Sequence, residues 1–118
     1  MSSPEPHGVV ASALELVAIE ETEGVPESVF TEQERAYARS KSDPARRLAA
    51  RLAAKRAAGA LLGLELQDVE VLPARGGPPR LRLSGRGVRE LRRRGAREAL
   101  VSLTHGRTHA AAAVLLVE

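Results

Sequence analysis

The chain has no cysteine and no tryptophan, and Phe30 and Tyr37 are its only phenyl-type aromatics. Without cysteine, neither a disulfide nor a thiolate metal site can form. Without further aromatics, single-stranded nucleic acid loses the stacking platforms that usually hold it. The core must be assembled from Ala, Leu and Val, which pack with little shape specificity and lean on oligomer contacts. No apolar run approaches the ~20 residues of a membrane span, and Met1-Ser2-Ser3-Pro4-Glu5-Pro6 lacks a signal-peptide pattern. A soluble, cytoplasmic protein with no membrane partner is therefore expected.

Basic residues are missing from one third of the chain. Residues 1–34 hold eight acidic groups and no Lys or Arg, whereas the remaining 84 residues hold all eighteen basic groups against seven acidic ones, a local charge of +11. Sixteen of the eighteen are Arg, whose planar fork suits phosphates better than the point charge of Lys. GC-rich coding alone would produce the same Arg and Ala bias.

A length of 118 residues fits one domain. Residues 1–12 are expected to form a flexible tail and residues 13–118 the domain. Ala13 to Glu20 alternates well enough for a strand. Thr31 with Glu34 three residues on forms a capping box for a short helix through Arg39. Asp43-Pro44 opens a long helix, with Asp expected to accept from the free amide donors, and Gly63 ends it. Asp68–Leu72 and Arg80–Leu83 read as strands around Arg75-Gly76-Gly77-Pro78-Pro79. Gly87 to Arg94 reads as a helix, and Ala99–Thr104 and Ala110–Val117 as closing strands. The order predicts an α+β domain, helices packed on a mainly antiparallel sheet.

Four segments, in order, resemble the holo-acyl-carrier-protein synthase family. Val29-Phe30-Thr31-Glu32-Gln33-Glu34, with Tyr37 after it, is similar to the family's V-F-T-x-x-E. Leu48-Ala49-Ala50-Arg51-Leu52-Ala53-Ala54-Lys55 is similar to the L-A-x-R-F-A-A-K-E-A helix. Gly77-Pro78 with Arg80-Leu81-Arg82-Leu83-Ser84-Gly85 is similar to the G-x-P-x-V-x-L-S-G hairpin. Val101-Ser102-Leu103-Thr104-His105 with Ala110-Ala111-Ala112 is similar to the closing S-x-(S/T)-H…Y-A-x-A-x-V. The resemblance implies the 4′-phosphopantetheinyl transferase fold, a trimer with active sites between subunits, and roles in fatty-acid or polyketide biosynthesis. It also implies transfer of 4′-phosphopantetheine from coenzyme A to a carrier-protein serine, with Mg²⁺ held by an Asp on the first strand and the Glu of A-A-K-E-A. By position it implies coenzyme A contacts at Arg51, Lys55, Pro78, Ser102, Thr104 and His105, and catalytic roles at Lys55, at Glu15 (the metal Asp) and at Arg56 (the metal Glu).

The departures fall on that chemistry. Glu15 still offers a carboxylate, but Arg56 puts a cation where the family attracts Mg²⁺. Its stem could cover apolar surface with the head in water, or the guanidinium could replace the metal by pairing with Glu15 or the pyrophosphate. A basic residue often found one turn later is Ala60 here, and the glycine-bearing loop that should follow is missing. The basic amphipathic helix that meets the acidic carrier in the family is reduced to Glu20-Glu21-Thr22-Glu23-Gly24-Val25-Pro26-Glu27-Ser28, which is acidic. Like charges there would repel a usual carrier. His109 stands where the family has Tyr and reads as structural.

Arg51 and Lys55, one turn apart, could face the same phosphate, and His105 is expected to keep a ligand contact. Arg86, Arg89, Arg93 and Arg97 read as a solvated face, with nucleic-acid binding a remote alternative. Two functions compete. One is a transferase acting on an atypical carrier through Glu15, Arg51, Lys55 and Arg56. The favoured one is a family member retired from catalysis, binding coenzyme A or assembling as a homotrimer or with an active paralogue.

Overall fold

The structure, a computed structural model, describes residues 8–118. Five strands, β1 (Val9–Ala18), β2 (Val69–Leu72), β3 (Arg80–Leu83), β4 (Glu98–His105) and β5 (His109–Val117), form one sheet in the order β1-β5-β4-β3-β2. Every neighbouring pair is antiparallel. Three helices accompany it: α1 (Glu32–Arg39), α2 (Pro44–Leu62) and α3 (Gly85–Arg93). This is the expected α+β arrangement. Of the tail expected over 1–12, residues 9–12 belong to β1, and residues 1–7 lie outside those described. No helix among the described residues is long and apolar enough to cross a membrane.

The scarcity of large side chains decides how the layers meet. Along α2, Ala49, Ala50, Leu52, Ala53, Ala54, Ala57, Ala58 and Leu62 are all buried. A helix apolar on most of its circumference belongs in the middle of a structure, and α2 packs against β5, β1 and α1. On β5, Ala110, Ala112, Val114 and Leu116 face it, alternating with more open neighbours at the two-residue period of a strand. Alanine against alanine brings helix and sheet close, so added volume there would overpack the core.

The termini of α2 follow their expected boundaries by partly different means. Pro44 sits at the first helical position, but Asp43 caps no amide: its carboxylate accepts from Arg47 Nε at 3.0 Å instead. At the far end Gly63 turns left-handed, with φ 65° and ψ 39°, where any Cβ would be strained. The helix read from Gly87 begins two residues earlier, because Ser84 Oγ accepts from the Gly87 amide. A Cβ on Gly87 would come within 2.9 Å of Leu83 Cβ, so glycine permits α3 to rest on β3.

Two ionic side chains lie at the centre of this apolar packing. Lys55 is 0% and Glu34 1% exposed, with Lys55 Nζ 2.9 Å from Glu34 Oε1. The same carboxylate accepts from Thr31 N at 2.8 Å, closing the expected capping box, and from Val71 N at 2.7 Å. Lys55 also donates to Val69 O and, at 3.5 Å, to Leu66 O. Val69 and Val71 belong to β2, the outermost strand on its side of the sheet, so the pair satisfies backbone groups on a free sheet edge. Removing one member of a buried pair strands the other charge. Lys55→Met is expected to lower stability by about 3–5 kcal/mol, read from urea unfolding.

Candidate ligand cavity and the Arg56 cluster

The expected site residues separate into distinct places. One turn before Lys55, Arg51 is only 3% exposed and opens onto a cavity of about 380 Å³. Tyr37, Arg47, Ala50 and Ala74 line it from one side, and Leu103, Thr104 and His105 from the end of β4. The Arg51 guanidinium stacks 4.2 Å from the Tyr37 ring centre, a cation–π arrangement that fixes its plane. Its Nη1 reaches Arg47 O at 3.4 Å, while its Nε is buried without a partner. His105 Nδ1, in the same cavity, is likewise buried and unpartnered. These two are the orphaned buried side-chain atoms among the described residues.

A buried polar group left unpaired costs about 1–3 kcal/mol, and both residues that carry one line this cavity. Burial holds the Arg51 guanidinium below its ordinary pKa, with Tyr37 and Glu34 opposing the shift. Arginine stays charged regardless. Arg47 adds a second cation, and Asp43, bound to Arg47, is the nearby acid. The balance favours an anion with several acceptor oxygens.

Lys55 does not join Arg51 at this cavity. Its ammonium, wholly buried, is engaged by Glu34 and the Val69 carbonyl, and Lys55 does not line the cavity. The expectation that Arg51 and Lys55 share one phosphate is therefore not met by this geometry. Thr104 and His105 reach the cavity, whereas Ser102 is exposed on the opposite face of the sheet and Pro78 lines the neighbouring grooves. Tyr37 and Arg47 were not among the anticipated contacts; the one-turn spacing of Arg47 and Arg51 on α2 was the available signal.

Arg56 forms a second cluster. The segment after β1 winds into a 3-10 helix, Ile19–Gly24, and packs against α2. Its Glu21 Oε1 lies 3.1 Å from Arg56 Nη1, and Oε2 accepts from Ala18 N at 2.7 Å. Arg56 thus pairs with Glu21 rather than with Glu15, which sits half-buried on the helix side of β1 opposite Ala112. Mg²⁺ asks for a near-octahedral set of hard oxygens. Among the described residues no three carboxylate, histidine or cysteine side chains converge, and the residue beside the strap is a cation.

A small α+β domain with an Arg- and His-lined cavity beside its central helix is the class that fold and site define. No family profile matches the chain. The holo-[acyl-carrier-protein] synthase of Moorella thermoacetica is 41% identical over 93 residues, covering 75% of this chain and 73% of that protein. The acyl carrier protein synthase structure from Mycobacterium tuberculosis aligns with a TM-score of 0.74 at 37% identity, over 94% of this chain and 98% of that one. A synthase–coenzyme A complex from Chronobacterium ammoniagenes aligns with a TM-score of 0.67 at 25% identity, over 90% of this chain and 96% of that one. The chain belongs to the holo-acyl-carrier-protein synthase family.

The Ala18 amide and then Arg56 hold the Glu21 carboxyl below its ordinary value. A depressed folded-state value gives stability that is present above the unfolded value and lost as pH falls through the folded one. Arg56→Ala is therefore expected to lower the thermal midpoint slightly at pH 7. That difference should fade only as pH falls below the ordinary Glu range and through the depressed folded-state value of Glu21, as read by circular dichroism across pH.

Proposed function

We propose that this chain binds coenzyme A in the Tyr37–Arg51–His105 cavity and has lost the magnesium-dependent transfer that defines its family. The observation that carries the reading is the Arg56–Glu21 ion pair, 3.1 Å, at the position where the family keeps its metal-binding Glu. The reaction requires a serine oxygen to attack the pyrophosphate and 3′,5′-ADP to leave, so negative charge builds on the phosphates and must be neutralised. A divalent ion supplies several kcal/mol of that stabilisation. Here the guanidinium would meet such an ion with a repulsion of about 4 kcal/mol or more at 4 Å and an effective dielectric near 20. Engaged by Glu21, Arg56 is also poorly free to take over the metal's role on the phosphates.

Binding needs none of that machinery. Arg51 and His105 line the cavity, with Arg47 adding charge and Thr104 a hydroxyl, a set suited to a phosphate. The crowded Tyr37–Arg51 stack keeps the fork in place, so little side-chain entropy is lost when the anion arrives. The coenzyme A complex of the Chronobacterium relative supports the same ligand here.

The sheet face away from α2 supports self-association. Leu14 is 75%, Leu16 64% and Leu100 42% exposed there, flanked by Ala111, Ala113 and Leu115 across the strands. An apolar patch of this kind on a small domain calls for a cover, and we read that cover as further copies of the chain in a trimer. Ser102 lies on the same face, which makes it a subunit-contact residue rather than a cavity residue in this reading. Leu14→Arg with Leu16→Arg is expected to shift the protein to monomer in sedimentation velocity; an unchanged mass would refute this assembly.

Titration calorimetry with coenzyme A tests the ligand. Binding should be insensitive to EDTA and weakened roughly tenfold or more by Arg51→Met or by His105→Ala, the loss of a charge-assisted hydrogen bond. Absent binding, or binding that requires Mg²⁺, would overturn the proposal.

A further inference from the structure

Asp43 stands at the N-cap of α2, where a carboxylate ordinarily accepts from an amide of the first helical turn. Its side chain caps no amide there, and Oδ1 lies 3.0 Å from Arg47 Nε instead. The helix forgoes a favourable cap for this contact, which makes Arg47 the reason for the conformation of Asp43. Arg47, first, and more weakly His105 hold the Asp43 carboxyl below its ordinary pKa, so it stays ionised. Asp43 is not among the residues that line the Tyr37–Arg51–His105 cavity; it borders a separate groove with Ser42, Pro44 and Arg46. A guest in the cavity therefore feels Asp43 chiefly through Arg47.

Arg47 needs such a hold. Arg47 and Arg51 stand one turn apart on α2 and both line the cavity. Like charges at this spacing repel, and Arg47 is one of the groups that lower the pKa of Arg51. Arg51 is restrained by burial, by the Tyr37 ring at 4.2 Å and by the Arg47 carbonyl at 3.4 Å. Arg47 is half-buried, and among the described residues its ion pair is with Asp43. That contact engages Nε and leaves the terminal edge of the fork, which can meet a phosphate with two parallel bonds. We infer that Asp43 is a positioning residue for the phosphate-bearing ligand, acting through Arg47, whose guanidinium it keeps at the cavity against repulsion from Arg51. This rests on the reading of the cavity as a coenzyme A site.

An acid near an anion site acts in two opposed ways. As a charge alone it repels the phosphate, and its removal tightens binding. As a positioning group it spares the Arg47 fork the rotamer freedom that would otherwise be lost on binding, and its removal weakens binding. The second effect wins here, because the Asp43 charge is already matched by Arg47 at 3.0 Å whereas the long Arg47 stem has this one ionic restraint among the described residues.

Serine caps a helix about as well as aspartate, but its hydroxyl stops one atom short of the carboxylate oxygens, so Asp43→Ser removes the contact to Arg47 and keeps a good cap. In titration calorimetry with coenzyme A, Asp43→Ser should bind roughly fivefold more weakly than the parent, the loss of about one hydrogen bond. Asp43→Asn, whose amide oxygen still accepts from Arg47 Nε, should bind within about twofold of the parent. When both chains carry Arg47→Met, Asp43→Ser should change affinity no further, a result that neither altered capping nor altered net charge produces. Unchanged or tighter binding by Asp43→Ser, an equal loss in Asp43→Asn, or a loss that persists beside Arg47→Met would each overturn the inference, and coenzyme A binding by the parent would then leave the cavity reading intact. If the parent chain binds no coenzyme A, the cavity reading falls and the inference falls with it.

Discussion

Lys55 and Glu34 meet in the least polar part of the molecule, and the geometry of the rest follows from their contact. Glu34 belongs to α1, Lys55 to α2, and the backbone groups they satisfy belong to the β2 edge. One ion pair therefore locks three elements together and sets the rotation of α2 about its axis. With that rotation set, Arg51 one turn earlier opens onto the cavity beside Tyr37, and Arg56, the next residue, faces the strap after β1. Desolvating two charges is expensive, and the cost is offset only where the remaining protons and lone pairs find partners. Here Glu34 accepts from two amides besides Lys55, and Lys55 donates to two carbonyls besides Glu34.

The other charges act on a smaller scale and divide the surface by function. Exposed pairs such as Arg56–Glu21 contribute little to global stability, but they decide where a short 3-10 segment lies. The Tyr37–Arg51–His105 cavity is different because Arg51 is buried there, stacked on Tyr37, with Arg47 half-buried beside it. The arginines of α3 and β3 are exposed, and their consequence is long-range attraction rather than fixed geometry. Acidic strap, cavity and basic helix α3 thus point three ways from one central helix.

Much of the fold was legible because its signals are local. Pro44 and Gly63 bracket α2, and Thr31 with Glu34 opens α1, since a cap or a left-handed turn depends on a few neighbouring residues. The early start of β1 was not, because residues 9–12 are held by pairing with the far end of β5, over a hundred positions away. Segments that kept their family spacing carried position: Arg51, Thr104 and His105 line one cavity. Lys55 was misread because its partner is twenty-one positions earlier on another helix, and burial rather than pattern assigns it. Ser102 does not line the cavity, which only the end of β4, Leu103 to His105, reaches. Arg56 met Glu21 instead of Glu15 because the strap folds back over α2, a path no periodicity encodes.

The central claim is that family chemistry has been lost while its ligand cavity remains. Transfer of a fluorescent pantetheine from labelled coenzyme A to apo carrier proteins, run in parallel with Mg²⁺ and with EDTA, tests it most directly. A folded chain that binds coenzyme A should label no carrier under either condition. Labelling that EDTA abolishes would contradict the account, because it would require a working metal site beside Arg56.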